Sequence, residues 1–298
     1  MTRAPDILCI GSVLWDVIGR ADRPMQLGSD VPGHIRQEPG GVAMNVAVAL
    51  RRLGLTPALL TALGRDPEAT ALIEACETLG LNTAFIHQDA ALRTDRYMAV
   101  EDRGTLIGAI ADAHSLEAAG DAILAPLFDG RLGSADAPYP GTIVLDGNLT
   151  ADLLAEIAGH PAFAAADLRV VPASPGKAER LGPFLAHPRA TLYLNLTEAS
   201  LLAGRDFAGS AQAAAALISS GAAAVCVTDG ASAATHAANG ELCSAQPQKV
   251  TVARITGAGD CFMAAHIVAE RNGMTPEAAL SQALRAAAHH VSGGTVIP

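Results

Sequence analysis

Short apolar runs, many of them β-branched, recur along this chain between longer stretches that are rich in alanine and leucine. Such runs are too short for helices and fit buried strands, whereas the longer stretches fit helices. Strands that alternate with helices build a parallel sheet, because the connecting helices cover its faces. The sequence therefore predicts an α/β fold around a mainly parallel central sheet. The predicted strands lie at 6–10, 59–62, 142–145, 168–171, 192–194 and 225–227, and the predicted helices at 68–79, 150–158, 177–186, 197–203, 210–219, 258–272 and 276–291.

Two segments interrupt this alternation, at 16–39 and 91–112, and both read as extended chain with polar alternation. The second segment contains a candidate hairpin, in which residues 94–100 and 105–110 flank Asp102-Arg103-Gly104 and a glycine supplies the turn. The two segments either pair into a small sheet beside the core or form ordinary edge strands. Periodicity alone leaves both alternatives open.

Composition and charge limit the partners of the chain. Its 298 residues are half hydrophobic, which is enough for a large core, and its net charge of −10 repels polyanions, so nucleic acid is not a predicted partner. No run approaches the roughly 20 apolar residues that cross a bilayer, and the start lacks a basic, then apolar, leader. We therefore expect a cytoplasmic protein that does not enter a membrane. The five cysteines form no C-x-x-C pair, so we expect core thiols and neither disulfides nor a zinc site.

A glycine-rich turn, Gly257-Ala258-Gly259-Asp260, leads into a stretch that is apolar on all sides. Glycines let the backbone approach a ligand closely, and the free N–H groups at the start of a helix attract anions. A carboxylate in that first turn could deprotonate a hydroxyl that attacks phosphorus. The alternative is a structural turn with an acid placed favourably at the helix dipole. No Gly-Lys-Ser/Thr follows, so the turn is not a Walker A loop.

A second glycine pair, Gly40-Gly41, precedes an amphipathic helical stretch that carries Asn45 near its start and ends at Gly54. The Asn45 amide can both donate to and accept from a polyol. Asp16 lies just after the end of the first predicted strand region, where open α/β sheets bind their ligands, although a lone acid there can also be merely solvated.

The glycine pair with Asn45 and Leu53-Gly54, together with Gly257-Ala258-Gly259-Asp260, resembles the two signatures of the PfkB (ribokinase-like) carbohydrate and nucleoside kinases. The resemblance spans nearly the whole chain. It implies a three-layer αβα core from 1–15, 40–90 and 113–298, with 16–39 and 91–112 inserted as a β-sheet lid. It also implies ATP and Mg²⁺ as cofactors, a small sugar or nucleoside as substrate, and a homodimer that pairs through the lid.

The same resemblance implies a role for each matched residue. Asp260 is the catalytic base, and Gly257, Ala258 and Gly259 form the anion hole. The substrate hydroxyls are bound by Asp16, Gly40, Gly41 and Asn45. The nucleotide-binding residues are Asn195 and Glu198 of an N-x-x-E pattern, Thr228 and Gly230 of a T-x-G pattern, and Thr256. Glu198 organises Mg²⁺ through water. On physical grounds alone, Asn195 and Glu198 could equally be a helix cap and a first-turn acid.

Within the family, several segments look like those of pseudouridine kinases, namely 32–36, 104–112, 146–149 and 171–177. The expected reaction is phosphorylation of the 5′-hydroxyl of pseudouridine. Other family reactions, with ribose, 2-keto-3-deoxygluconate or a purine nucleoside, stay open, as does a catalytically silent binding protein of the same fold. Aromatic residues are scarce, so there are few candidates to stack on a base, among them Trp15, Phe85 and Tyr97. Arg254 stands where many family members have an acid near a monovalent-cation loop, which leaves a K⁺ requirement open.

Overall fold

The computed structural model describes residues 5–26, 28, 30–102 and 105–294, and its centre is an eight-stranded sheet in the order β14-β13-β12-β11-β10-β9-β1-β4. The six strands from β12 to β4 pair in parallel, and β13 and β14 add an antiparallel edge. The predicted α/β class with a mainly parallel sheet is confirmed. The strands of this sheet are β1 (Ile7–Ile10), β4 (Pro57–Leu60), β9 (Thr142–Asp146), β10 (Asp167–Val171), β11 (Ala190–Asn195), β12 (Ala224–Thr228), β13 (Ala234–Ala238) and β14 (Glu241–Ala245).

Helices cover both faces of this sheet, which explains why its parallel strands read as continuous apolar runs. In β1, Ile7 and Cys9 pack into one core cluster and Leu8 and Ile10 into the other. The first cluster is shared with α1 (Val42–Arg52), α2 (Pro67–Thr78), α8 (Ala258–Arg271) and α9 (Pro276–Val291). The second is shared with α3 (Ser115–Ala119), α4 (Ala125–Phe128), α5 (Ala151–Gly159), α6 (Leu196–Ala203) and α7 (Ser210–Ser219). The result is a three-layer αβα sandwich.

The two interrupting segments pair with each other in a separate four-stranded sheet, in the order β3-β2-β7-β8, which we call the lid sheet. Its strands are β2 (Leu14–Ala21), β3 (Gly33–Gly40), β7 (Arg96–Asp102) and β8 (Thr105–Asp112). The predicted turn residues Arg103 and Gly104 lie outside the described part of the chain. A two-stranded pair, β5 (Ala62–Gly64) and β6 (His87–Asp89), completes the strands. The division into a core domain and an inserted lid stays a prediction.

Several local features differ from the predictions. The strand predicted at 59–62 covers the end of β4 and the start of β5, because Thr61 between them lies outside both strands. The segment predicted as a helix at 177–186 is a 3₁₀ helix, Pro175–Phe184, because Pro183 lies inside it and cannot donate to an α-helical hydrogen bond. The β13–β14 hairpin was not expected, since alanine-rich runs have low strand propensity, and its pairing with β12 outweighs that preference. Shorter 3₁₀ helices lie at Gly120–Leu124 and Pro161–Phe163. Across the described residues, none of the helices combines the length and the apolar character that a membrane crossing requires.

Candidate active site

Four parallel strands end at one edge of the central sheet, and each end carries a polar or small residue. There β1 is followed by Gly11 and Ser12, while β9, β11 and β12 end at Asp146, Asn195 and Thr228. Asn195 and Thr228 are register partners, so they lie side by side. The carboxyl edge of an open α/β sheet is the usual place for a ligand.

The N-terminus of α8 lies at this edge and has no side-chain cap. Its N-cap residue, Gly257, has φ 83°, a left-handed conformation that favours glycine, and no side chain accepts from the first turn. Within the described residues, the N–H groups of Gly259 and Asp260 make no hydrogen bond to protein. A Cβ added at Gly259 would meet nothing within 4 Å. These unsatisfied N–H groups and the open space beside them suit an anion such as a phosphoryl group.

The loop before α8 is anchored to the end of α9. Nε2 of His290 lies 2.8 Å from the Thr256 carbonyl oxygen, and its Nδ1 lies 3.3 Å from Sγ of Cys261. The Arg254 guanidinium donates to the carbonyl oxygens of His290 and Gly294, at 3.1 and 2.7 Å. A cation in this position also complements the helix dipole of α9. The glycine-rich turn therefore starts from a fixed position.

Asp260, in the first turn of α8, faces Asn45 in the first turns of α1. Nδ2 of Asn45 donates to Oδ2 of Asp260 at 3.0 Å, although 215 residues separate the two. Burial raises the pKa of Asp260 to about 7, the Asn45 hydrogen bond lowers it, and the charges of Asp146 and Glu198 raise it. A carboxylate with a pKa near neutrality can exchange a proton at physiological pH, as a general base must.

The glycine pair is explained by what lies against it. A Cβ at Gly40 would come within 2.0 Å of Oδ2 of Asp16, and a Cβ at Gly41 within 2.3 Å of the Ser12 carbonyl oxygen. Gly41 is the N-cap of α1 with φ 98°. Burial, and then the charge of Glu38 across the β2–β3 pair, raise the pKa of Asp16 to about 6. The sequence pattern thus brings the Asp16 carboxylate directly beside the start of α1.

Asp146 was not among the predicted site residues, yet it supports this whole corner. It is fully buried and its carboxylate accepts from the N–H groups of Ser12, Ala43 and Asn148 at 2.8, 3.0 and 2.8 Å. Burial raises its pKa, and these hydrogen bonds lower it. A Cβ at Gly11 would lie 2.4 Å from this carboxylate. The available signal was its place, an acid directly after the apolar residues 143–145 of a predicted strand.

The N-x-x-E residues Asn195 and Glu198 form the helix cap that was one of their two possible roles in the sequence analysis. Asn195 caps α6 by accepting from the Glu198 N–H at 2.9 Å, and Glu198 Oε2 accepts from the Asn195 N–H at 2.8 Å. This reciprocal pair is a capping box. Glu198 is only 8% exposed and burial raises its pKa. Its second oxygen makes no hydrogen bond among the described residues, so a capping role and a role toward a hydrated cation are compatible.

The T-x-G residues lie beside this cap. Oγ1 of Thr228 donates weakly to the Leu194 carbonyl oxygen at 3.5 Å, and Gly230 has φ 54° in the turn after β12. They are therefore at the same sheet edge as Asn195, although no hydrogen bond joins them to Asp260. Their role toward a nucleotide stays a prediction.

Two basic side chains of the 3₁₀ helix Pro175–Phe184, which follows β10, donate to the loop after β9 near this edge. Nζ of Lys177 donates to Oδ1 of Asn148 at 2.7 Å, and the Arg180 guanidinium donates to the Leu149 carbonyl oxygen at 2.9 Å. Arg180 also pairs with Glu117 at 2.9 Å, so Lys177 is the less neutralised cation of the two. The sequence did not assign a role to either.

Of the three aromatic candidates, only Tyr97 is placed to meet a ligand beside Asp16. Trp15 is 7% exposed in the core and donates from Nε1 to the Glu68 carbonyl oxygen, and Phe85 packs against the other core cluster. Tyr97 is the register partner of Asp16 in the parallel β2–β7 pair, so both project from one face of the lid sheet. Trp15 is therefore not placed to stack on a base.

Several curated proteins share part of this sequence. The uncharacterized sugar kinase YeiI of Escherichia coli (strain K12) is 30% identical over 210 residues, 69% of this chain and 54% of that protein. The pseudouridine kinase of Arabidopsis thaliana is 38% identical over 65 residues, 22% of this chain and 17% of that protein. A pseudouridine-metabolizing bifunctional protein of Schizosaccharomyces pombe is 28% identical over 162 residues, 52% of this chain and 20% of that protein. The chain thus spans about half the length of the first relative and a fifth or less of the others.

Solved structures match over nearly the full length. A carbohydrate kinase from Agrobacterium tumefaciens superposes with a TM-score of 0.82 at 26% identity, covering 99% of this chain and 93% of that one. The ribokinase of Arabidopsis thaliana, solved with ribose and ATP, superposes with a TM-score of 0.76 at 20% identity, covering 99% of this chain and 95% of that one. The fold is therefore the ribokinase-like α/β fold. The family model described as pfkB family carbohydrate kinase matches residues 4–297, almost all of the sequence. The chain belongs to the pfkB family of carbohydrate kinases.

Proposed function

We propose that this chain transfers the γ-phosphoryl group of ATP to a hydroxyl of a small sugar or nucleoside. The observation that carries the proposal is the Asn45–Asp260 hydrogen bond of 3.0 Å at the uncapped start of α8. It sets an amide suited to a polyol, a carboxylate with a pKa of about 7, and unsatisfied N–H groups beside one another. A hydroxyl acceptor, its base and the site for the transferred group would then share one corner.

In the proposed reaction, Asp260 takes the proton of the attacking hydroxyl as that oxygen bonds to the γ-phosphorus. The bond from the γ-phosphorus to the oxygen that bridges it to the β-phosphate breaks, and ADP leaves. The N–H groups of residues 257–260 stabilise the charge on the transferred group. Asp16 and Asn45 orient the substrate hydroxyls, and Gly40 and Gly41 let them approach the backbone.

For the nucleotide we propose Thr256 and the strand-end residues Asn195, Glu198, Thr228 and Gly230. Mg²⁺ would offset the phosphate charge, held through water by the Glu198 carboxylate oxygen that the capping box leaves over. We expect no K⁺ requirement, because the Arg254 guanidinium already occupies the carbonyl oxygens at the end of α9. Equal rates in potassium and sodium buffers would support this. A dependence on ATP agrees with a cytoplasmic location.

For the substrate we propose pseudouridine, phosphorylated at its 5′-hydroxyl. Two of the relatives described above carry pseudouridine in their names. Tyr97 shares a face of the lid sheet with Asp16, and Lys177 and Asn148, after the ends of β10 and β9, carry hydrogen-bond donors. An aromatic ring and polar donors together would suit a uracil ring attached to ribose.

The deciding experiment measures ADP release with pseudouridine, uridine, ribose, 2-keto-3-deoxygluconate and a purine nucleoside, each with Mg²⁺ and ATP. We expect the largest kcat/KM for pseudouridine and, in Tyr97→Ala, a loss that is larger for nucleosides than for ribose. A preference for ribose that Tyr97→Ala leaves unchanged would contradict the substrate and keep the reaction class. ADP release from no alcohol, with ATP or substrate still raising the melting temperature, would identify a silent binding protein.

We also propose that the lid sheet closes over the substrate and pairs with a second copy. The face opposite Asp16 and Tyr97 carries exposed apolar side chains, with Ile35 78%, Ile110 63% and Met98 46% exposed. Apolar patches of this kind and open sheet edges are usually covered in solution. Light scattering should report a dimer that Ile110→Glu dissociates, while Val252→Glu, at an exposed site outside the lid sheet, leaves it intact. A monomeric wild type would contradict the pairing.

A further inference from the structure

A cluster of soft metal-ligand side chains lies inside the sandwich, on the body of α8 rather than at its start. Cys226 of β12, His236 of β13 and His266 of α8 are all buried, and one donor atom from each lies within 4.8 Å of the others. Cys226 and His236 are register partners, so their side chains project from the same face of the sheet. His266 comes down onto that face from α8.

One donor atom of this cluster is left without a partner. His236 is only 4% exposed, and its buried Nε2 makes no hydrogen bond to any residue that the structure describes. Buried polar atoms are nearly always paired, so an unpaired imidazole nitrogen calls for an explanation. A ligand held beside it would provide one.

His266 is oriented in the way that metal-binding histidines are. Its Nδ1 lies 2.9 Å from the Tyr193 hydroxyl and 3.5 Å from a Glu270 carboxylate oxygen, and Glu270 is itself held by Arg169. A proton on Nδ1 leaves the lone pair on Nε2, and Nε2 lies 3.7 Å from Sγ of Cys226. A carboxylate or hydroxyl behind the ring is the usual support of a histidine ligand.

The spacing agrees with tetrahedral coordination. Bonds of about 2.3 Å to sulfur and about 2.0–2.1 Å to nitrogen place the two ligand atoms about 3.6 Å apart. The observed 3.7 Å between Sγ of Cys226 and Nε2 of His266 is close to that value. A thiolate with two imidazoles is a donor set for Zn²⁺ and similar thiophilic ions, not for Mg²⁺.

An ion has a route to this cluster that avoids the candidate active site. A cleft of about 280 Å³ opens where β11 and β12 begin, at the edge of the sheet opposite Asp260, and His236 and Glu270 line it. Asp167 adds a carboxylate and Arg189 a guanidinium to its wall. The cleft leads from solvent to the side of His236.

We propose that Cys226, His236 and His266 form a zinc site that ties α8 to β12 and β13. On binding, the Cys226 thiol loses its proton to solvent as the sulfur–metal bond forms, and both imidazoles bind as neutral ligands. The sequence analysis predicted no zinc site, because the three residues come from three elements and match no metal-binding spacing. The site is separate from any Mg²⁺ at Glu198 and does not rest on the proposed kinase reaction.

Cobalt titration of the full chain tests the proposal. After treatment with a chelator, we expect one Co²⁺ per chain with a sulfur-to-cobalt charge-transfer band that Zn²⁺ displaces, and a higher melting temperature in Zn²⁺ than in chelator. Cys226→Ala should lose the band and the shift. Cys76→Ala, which removes another fully buried thiol from the core, should keep both.

Absence of the band in the wild type would overturn the proposal, and so would an equal band in Cys226→Ala, because another cysteine would then hold the metal. If Cys226→Ala does not fold, as judged by circular dichroism, His236→Phe replaces it. That variant should bind Co²⁺ at least about tenfold more weakly, and unchanged affinity would likewise refute the site.

Discussion

Replacing Asp260 with asparagine should separate the effect of this carboxylate on stability from its role in catalysis. In the folded chain its pKa is about 7, against 3.8 ordinarily, so its protonated form stabilises the fold and this stability is lost as pH rises through 7. Between pH 5 and pH 7 the ionisation cost grows over about two pKa units, at most about 2.7 kcal/mol at 1.36 kcal/mol per unit. Because Asp260 is only half-buried, screening by solvent reduces this to about 1–2 kcal/mol.

Asp260→Asn stays neutral and still accepts from Asn45, so its stability relative to the wild type should increase by that amount between pH 5 and pH 7 and level off above pH 7. Chemical unfolding of both proteins across pH 5–8 measures the difference. The same variant should lose about 10²–10⁴-fold in kcat, the usual contribution of a general base. Asp152→Asn, at an exposed first-turn acid of α5, is the matched control and should change neither. A stability difference that does not vary with pH would refute the reasoning, as would near-normal turnover.

Three further outcomes follow from the site. The kcat/KM of the wild type should fall about tenfold per pH unit below about pH 7. Asn45→Ala removes the hydrogen bond that lowers the pKa of Asp260, so this acidic limb of the pH profile should move to higher pH. An acidic limb that stays in place would contradict the coupling between the two residues. Gly40→Ala drives a methyl group into the Asp16 carboxylate, so the KM for the alcohol should rise at least about tenfold while the KM for ATP stays unchanged. Glu198→Gln keeps an acceptor for the capping box, so the free energy of unfolding should change little. The Mg²⁺ concentration that gives the half-maximal rate should rise about tenfold in this variant. An Mg²⁺ dependence equal to that of the wild type would restrict Glu198 to its capping role.

Predictions made from local pattern agree with the structure wherever local chemistry decides the conformation. The helix at α9 was predicted within its actual bounds, because Thr275 caps it and proline follows at the first position. The parallel strands were visible as apolar runs because both of their faces are buried. The glycine pair was recognisable as a pattern. The need for glycine at position 40 was not, because the Asp16 carboxylate that lies where its Cβ would be comes from a strand 24 residues earlier.

Residues whose role depends on contacts with residues far away in sequence could not be predicted from the sequence. Asp146 reads as a single acid after a strand, and only the fold shows that three N–H groups from separate segments converge on it. The strand β13 carries three alanines among its five residues, and tertiary pairing imposes its conformation. Cys226 and His266 lie 40 residues apart and meet only because α8 packs on β12. Patterns of residue type carry no information on such contacts.

The carboxylates of Asp146, Glu198 and Asp260 make this corner negative before any ligand arrives. Burial raises the pKa of Asp260 to about 7, and the charges of Asp146 and Glu198 add to this rise, so the base is partly protonated near neutral pH. A nucleotide brings further negative charge, so a divalent cation and the N–H groups of α8 have to offset it. Because a cation near Glu198 acts on Asp260 through the same field with the opposite sign, its arrival should lower the pKa of Asp260. The base would then ionise as the phosphoryl donor binds, which couples proton acceptance to the presence of the group to be transferred.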